Sequence, residues 1–121
     1  MLELKNIFKK MHFGILPYRE SGTHYESIVG HTMLATKTAE YLTAGLPMIV
    51  NKTCGGAASL IEKYNLGIAY DPNTFEGLSM EKITGFNTPE EQEQISDVAS
   101  KLFDYQYHAR QYAELYKELL E

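Results

Sequence analysis

The sequence predicts an α/β domain built on a parallel sheet of about three strands, half of a doubly wound sheet, followed by C-terminal helices. Three observations carry that prediction. Short apolar runs alternate with helix-period segments at the pace of βαβ units. Glycine or proline punctuates nearly every change of period. The last third of the chain then keeps a 3–4 apolar spacing with no further strand signal.

The elements follow in order. Leu2, Leu4, Ile7, Phe8 and Met11 recur at helical spacing among Lys5, Lys9 and Lys10, which predicts an opening amphipathic helix. Phe13 to Tyr18 is a short apolar run closed by Pro17 and reads as a buried strand. Arg19 to Ala35 shows no period and predicts a long loop, of the kind that compact domains keep for function. A helix from Thr36 to Ala44, stopped by Gly45, leads into a strand from Pro47 to Val50. Gly55-Gly56 makes a tight strand-to-helix turn and opens a helix from Ala57 to Tyr64, with Leu60 and Ile61 inward. Ile68-Ala69-Tyr70 is the third strand, and Asp71-Pro72-Asn73 turns the chain. Ser79 caps a small helix through Ile83. Thr88-Pro89-Glu90-Glu91 combines a capping box with proline at the first helical position. From Ile95 to Leu119 the spacing predicts one long helix, or two with a bend between Phe103 and Tyr107. The tyrosines of that last segment, Tyr105, Tyr107, Tyr112 and Tyr116, read as packing residues.

Composition narrows the functions. At 121 residues the chain is one domain. Its net charge of −5 argues against a nucleic-acid binder, which needs a basic face. The single cysteine, Cys54, rules out an internal disulfide and reads as an ordinary buried thiol. His12, His24, His31 and His108 lack metal-ligand spacing and read as surface or loop residues, so no metal is expected, and Gly55-Gly56 lacks the third glycine of a dinucleotide fingerprint, so no cofactor is expected either. No run reaches the length of a membrane span, and the first residues have no signal-peptide h-region, so a cytoplasmic protein is expected.

The chemistry concentrates in Ala35-Thr36-Lys37-Thr38-Ala39-Glu40-Tyr41-Leu42-Thr43-Ala44-Gly45-Leu46-Pro47-Met48-Ile49-Val50. Open parallel sheets bind ligands outside the carboxyl ends of their strands. The segment after the first strand delivers the chain to the N-terminus of the Thr36 helix, where free N–H groups and the helix dipole favour an anion. Thr36 adds a hydroxyl donor there and Lys37 a mobile charge. Glu40 stands one turn on, and a carboxylate accepts two parallel hydrogen bonds from a vicinal diol such as a ribose. Phosphate at the helix end with ribose on Glu40 describes a nucleoside diphosphate.

The pattern Thr-Lys-x-x-Glu-Tyr-Leu-x-Ala-Gly-Leu-Pro-x-Ile resembles the Rossmann-like C-terminal, donor-binding domain of retaining glycosyltransferases of the GT-B fold, family-4-like. Phe13-Gly14-Ile15-Leu16-Pro17 resembles the strand before the site. Gly55-Gly56-Ala57-Ala58-Ser59-Leu60-Ile61-Glu62 and Leu66-Gly67-Ile68-Ala69-Tyr70 resemble the helix and strand after it. The resemblance implies a nucleotide diphosphate sugar as donor, transfer to a glycan, lipid or small acceptor with retention, and no metal. It places the ribose on Glu40 and the diphosphate near Ala35, Thr36 and Lys37, with Arg19 toward phosphate or sugar. Thr32 falls where the family often carries an acid facing the sugar, and Glu20 or Glu26 is the candidate substitute. No catalytic residue is assigned. The resemblance also implies an N-terminal acceptor domain that this chain lacks, so the chain reads as an N-terminally incomplete part, inactive alone, whose parent associates peripherally with a membrane. In such parents the terminal helix packs back across the other domain.

Two other readings use the same residues. One is a nucleotide-sugar epimerase of the same fold. The other is a non-catalytic α/β module that assembles through its sheet edge, because the Phe13 to Tyr18 strand is an apolar edge. That open edge predicts self-association, or instability, of the isolated chain.

Overall fold

A computed structural model describes residues 2–17 and 24–120. The elements run α1 (Leu2–Phe8), β1 (Gly14–Leu16), α2 (His24–Thr32), α3 (Thr36–Thr43), β2 (Met48–Asn51), α4 (Gly55–Tyr64), β3 (Gly67–Tyr70), α5 (Met80–Gly85), α6 (Pro89–Leu102) and α7 (Tyr105–Leu120). The three strands form one parallel sheet in the order β1-β2-β3, with Gly14 beside Met48 and Met48 beside Gly67. The α/β class, the parallel pairing and the number of strands are those read from the sequence.

The register sorts side chains between the two faces of the sheet. Leu16, Met48, Val50 and Ala69 share the face that meets Leu42, Ala57, Ala58 and Ile61 in the buried core. Ile95 and Ala99 extend that core through α6, which packs on α3. There Ser96 Oγ donates to the Thr43 carbonyl at 2.9 Å. Gly45, at φ +80°, lets the α6 backbone approach closely, because a Cβ there would lie 2.8 Å from the Gln92 oxygen. The opposite face carries Ile15, Ile49 and Ile68. Exposure falls across it from 57% at Ile15 to 2% at Ile68, so it is open at the β1 edge and closed at the β3 edge.

Several boundaries differ from the sequence expectation. The opening helix stops at Phe8 rather than Met11, and Lys10 and Met11 close turns onto Ile7 and Phe8. Phe8 meets the Tyr41 ring edge-on at 5.4 Å, while Ile7 and Met11 stay exposed. β1 pairs only over Gly14–Leu16, since Pro17 has no N–H with which to continue the ladder.

The expected loop from Arg19 to Ala35 is corrected by α2 over His24–Thr32. Among the described side chains of this helix, the apolar pair Ile28 and Val29 is exposed, which fits the lack of an apolar period in the segment.

The C-terminal caps form as read. Ser79 Oγ accepts from the Lys82 N–H at 3.3 Å and Thr88 Oγ1 from the Glu91 N–H at 3.2 Å, with Pro89 in the first turn of α6. The bend falls at Phe103–Asp104, where Asp104 Oδ1 accepts from the Gln106 and Tyr107 N–H groups and starts α7. The packing expected of the α7 tyrosines is not met within the described residues. α7 buries none of its side chains, and Tyr105, Tyr112, Tyr116 and Leu119 are exposed.

Candidate functional site

Two helices begin at the carboxyl edge of the sheet, and they differ in what lies before their N-termini. A cleft of about 650 Å³ opens before α3. Ile15, Leu16 and Pro17 form its wall from β1, and Met33 and Leu34 form the wall from the segment after α2. Ala35, Thr36 and Lys37 close its end.

Ala35 is the N-cap of α3, with extended backbone at φ −65° and ψ 141°, and it has no side chain to accept a hydrogen bond. The Thr38 N–H turns back to the Ala35 carbonyl at 2.8 Å. Among the described residues nothing accepts from the N–H of Thr36 or Lys37. The first turn holds no acid, although acids suit that position and a lysine does not. Lys37 there is unfavourable for an isolated helix and favourable beside a bound anion. Neither Lys37 nor Glu40 forms an ion pair among the described residues, where the Lys52–Glu62 contact at 4.0 Å is the single such pair.

Thr38 and Leu42 are buried on the inner side of α3, which leaves Thr36, Glu40 and Thr43 on its outer side. Glu40 is exposed and lies outside the cleft lining, one turn, about 6 Å, along the helix from Thr36. Thr43 Oγ1 is occupied with the Ala39 carbonyl at 2.6 Å. Thr38 Oγ1 is buried with no hydrogen-bond partner among the described residues.

The N-terminus of α4 is filled by the chain itself. A Cβ at Gly56 would lie 2.7 Å from the Met33 oxygen and 2.8 Å from the Thr32 oxygen, and one at Gly55 would run into the His31 carbonyl. The carbonyl end of α2 therefore rests against the N–H end of α4, opposite dipole ends together. Gly55-Gly56 is the turn that the sequence indicated, and close approach of α2 explains why both positions lack a Cβ. The loop before it is internally bonded. Asn51 Oδ1 accepts from Thr53 Oγ1 and from the Cys54 N–H. Cys54 is buried with its Sγ 3.7 Å from the Met33 carbonyl. Burial pushes its thiol pKa up, against a smaller opposing effect of the Ala57 N–H, which makes it the ordinary buried cysteine expected rather than a nucleophile.

Of the six residues predicted for the site, the structure brings Ala35, Thr36 and Lys37 together at the cleft and places Glu40 on the adjoining outer face. Thr32 ends α2, its Oγ1 turned back to the Ile28 carbonyl at 3.0 Å, and it does not line the cleft. Arg19 and Glu20 lie outside the described residues, and Glu26 is described in its backbone alone, within α2. The apolar walls were not anticipated as ligand contacts. Their signal was present in Pro17 at the carboxyl end of a strand, and in the apolar pair Met33-Leu34 just before a helix start.

Among the described residues no three His, Cys, Asp or Glu side chains gather as metal ligands, and no helix is long and apolar enough to cross a membrane. His108 contacts the Leu102 carbonyl through a ring nitrogen at 2.8 Å. No protein-family model matches this chain, and no curated protein or solved structure matches it.

Proposed function

We propose that this chain is the nucleotide-diphosphate-sugar-binding part of a cytoplasmic GT-B glycosyltransferase that transfers a sugar with retention. The observation that carries the reading is the uncapped, lysine-bearing N-terminus of α3 opening into a cleft at the carboxyl end of β1. The N–H groups of Thr36 and Lys37, the Thr36 hydroxyl and the Lys37 ammonium take the diphosphate. The ribose diol follows the outer side of α3 to Glu40, and the apolar walls receive the less polar parts of the ligand. The α3 motif's resemblance to the GT-B donor domain supports the same assignment. The acceptor is held by a domain outside this chain, and catalysis belongs to the parent.

Titration of the chain with uridine, guanosine and adenosine diphosphates tests the site. One of them binds, and Glu40→Gln weakens it by about tenfold or more, as expected for a charge-assisted hydrogen bond. Absence of binding by all three, or unchanged affinity in Glu40→Gln, overturns the assignment.

A second reading has its own observation. The sheet face at Ile15 is open beside a β1 edge that no strand pairs among the described residues, which favours a module that assembles through that edge. The two are compatible, because a missing neighbouring domain leaves the same edge uncovered.

A further inference from the structure

Helix α2 is held in an unusual way. It packs on α4, yet Ile28 and Val29 remain exposed, and at Gly55 and Gly56 its close approach is made by backbone. The carbonyls of His31, Thr32 and Met33 sit where side chains at Gly55 and Gly56 would be, and Gly30 in turn faces the Thr53 carbonyl, 3.4 Å from where its Cβ would stand. Glycines on both partners thus form a seat in which backbone meets backbone. The Met33 carbonyl covers the Cys54 thiol, and the next residues, Met33 to Ala35, are one wall of the cleft and the N-cap of α3.

We propose that α2 is a strap, docked on the Gly55–Gly56 seat, whose docking positions the Met33–Ala35 wall and whose release uncovers Cys54 without unfolding the core. Among the described side chains of α2, the apolar pair Ile28 and Val29 is exposed and opposes release little, which places the strap at the low-stability end of the molecule, where local opening precedes global unfolding. Because the strap carries one wall of the cleft, a ligand that needs that wall selects the docked state. This last step rests on the nucleotide-binding reading, whereas the seat and its opening do not.

The single cysteine makes the strap measurable. In the wild-type chain, N-ethylmaleimide labelling of Cys54 is followed against urea, together with amide exchange. Labelling is expected to show a weak urea dependence shared with the Met33 N–H, which bonds the Val29 carbonyl at 2.9 Å, and unlike that of core amides such as Ile61. Gly56→Ala is expected to raise the labelling rate by about tenfold or more, because overpacking at the seat favours release. Gly85→Ala, where a Cβ meets nothing within 4 Å, leaves it unchanged. The strap is overturned if Cys54 in the wild type reacts only with the urea dependence of the core amides, or if a folded Gly56→Ala labels at the wild-type rate. A nucleoside diphosphate that binds is expected to slow labelling. A chain that binds none fails the functional reading while the seat is still decided by the ligand-free measurements.

Discussion

Substituting Ala35 separates stability from binding at one position. The α3 N-cap already has the extended backbone that a capping residue adopts, so Ser or Asp fits without rearrangement. A capping oxygen accepts from the second or third N–H of the helix. The third, on Thr38, is taken by the Ala35 carbonyl, which leaves the Lys37 N–H as the donor gained. One new bond places the gain in the lower part of the capping range, about 0.5–1 kcal/mol. For a chain of 121 residues that corresponds to a rise in Tm of about 2–4 °C. The same Lys37 N–H is assigned to the ligand's phosphate. Losing one hydrogen bond to a charged group costs about 1.5–3 kcal/mol, or roughly a 10- to 150-fold loss of affinity, and Asp adds like-charge repulsion. Thermal denaturation and calorimetric titration with the diphosphate that binds best give both quantities. Thr88→Ala is the control, since it removes a cap that is made and lies away from the cleft; it lowers Tm and leaves affinity unchanged. If Ala35→Asp raises Tm while affinity stays within about twofold of wild type, the phosphate does not use this helix end. If it fails to raise Tm, the Lys37 N–H was not free.

Other consequences follow from the same geometry. Leu42 is fully buried between α3 and the sheet, so Leu42→Ala costs about 2–5 kcal/mol in urea unfolding, a large share of a typical domain stability of about 5–15 kcal/mol; a loss below about 1 kcal/mol contradicts the packing. The N–H groups of Asn73 and Thr74 hold the Asp71 carboxyl below its ordinary pKa, so the native state binds the proton less readily than the unfolded chain. That contribution is present above the unfolded aspartate value, about 3.9, and is lost as pH falls through the lower folded value. NMR titration should show the Asn73 and Thr74 amides shifting at a midpoint below that of a model aspartate, and a midpoint at or above it refutes the turn. The isolated chain is expected to self-associate through the open β1 edge, and Ile15→Lys to shift it toward monomer. Light scattering that gives a clean wild-type monomer rules this out.

Much of the fold was legible because its signals are local. Ser79 and Thr88 are capping residues used as caps, Gly45 ends α3 at positive φ, and Asp104 starts α7 inside the expected bend. α2 was not legible. Its described contacts include backbone meeting glycines some 25 residues later in the chain, and such contact leaves no apolar period to read. For α7 the reverse holds: its 3–4 spacing marks a helix, but periodicity states only that a face is apolar, not that this chain covers it. The polar end of the site was read from Thr36 and Lys37, whereas its apolar walls depend on where α2 sets Met33 and Leu34.

The two helix starts at the carboxyl edge show why local sequence alone does not select a ligand site. α3 and α4 both follow residues that provide no side-chain cap, Ala35 and Cys54, and each therefore offers unsatisfied donors and a positive dipole end. Gly55-Gly56 is the more suggestive pair by composition, since glycines often admit a phosphate to a backbone. In this fold they admit the carbonyl end of α2 instead, so the chain's own backbone and an opposite dipole end stand against the start of α4. Lys37 then breaks the remaining symmetry. It places a cation in the first turn of the helix whose end stays open, while α4 has its one lysine in the last turn, where a helix favours it. An anion arriving at this edge meets one filled terminus and one open, cationic terminus, and only α3 gains from its arrival.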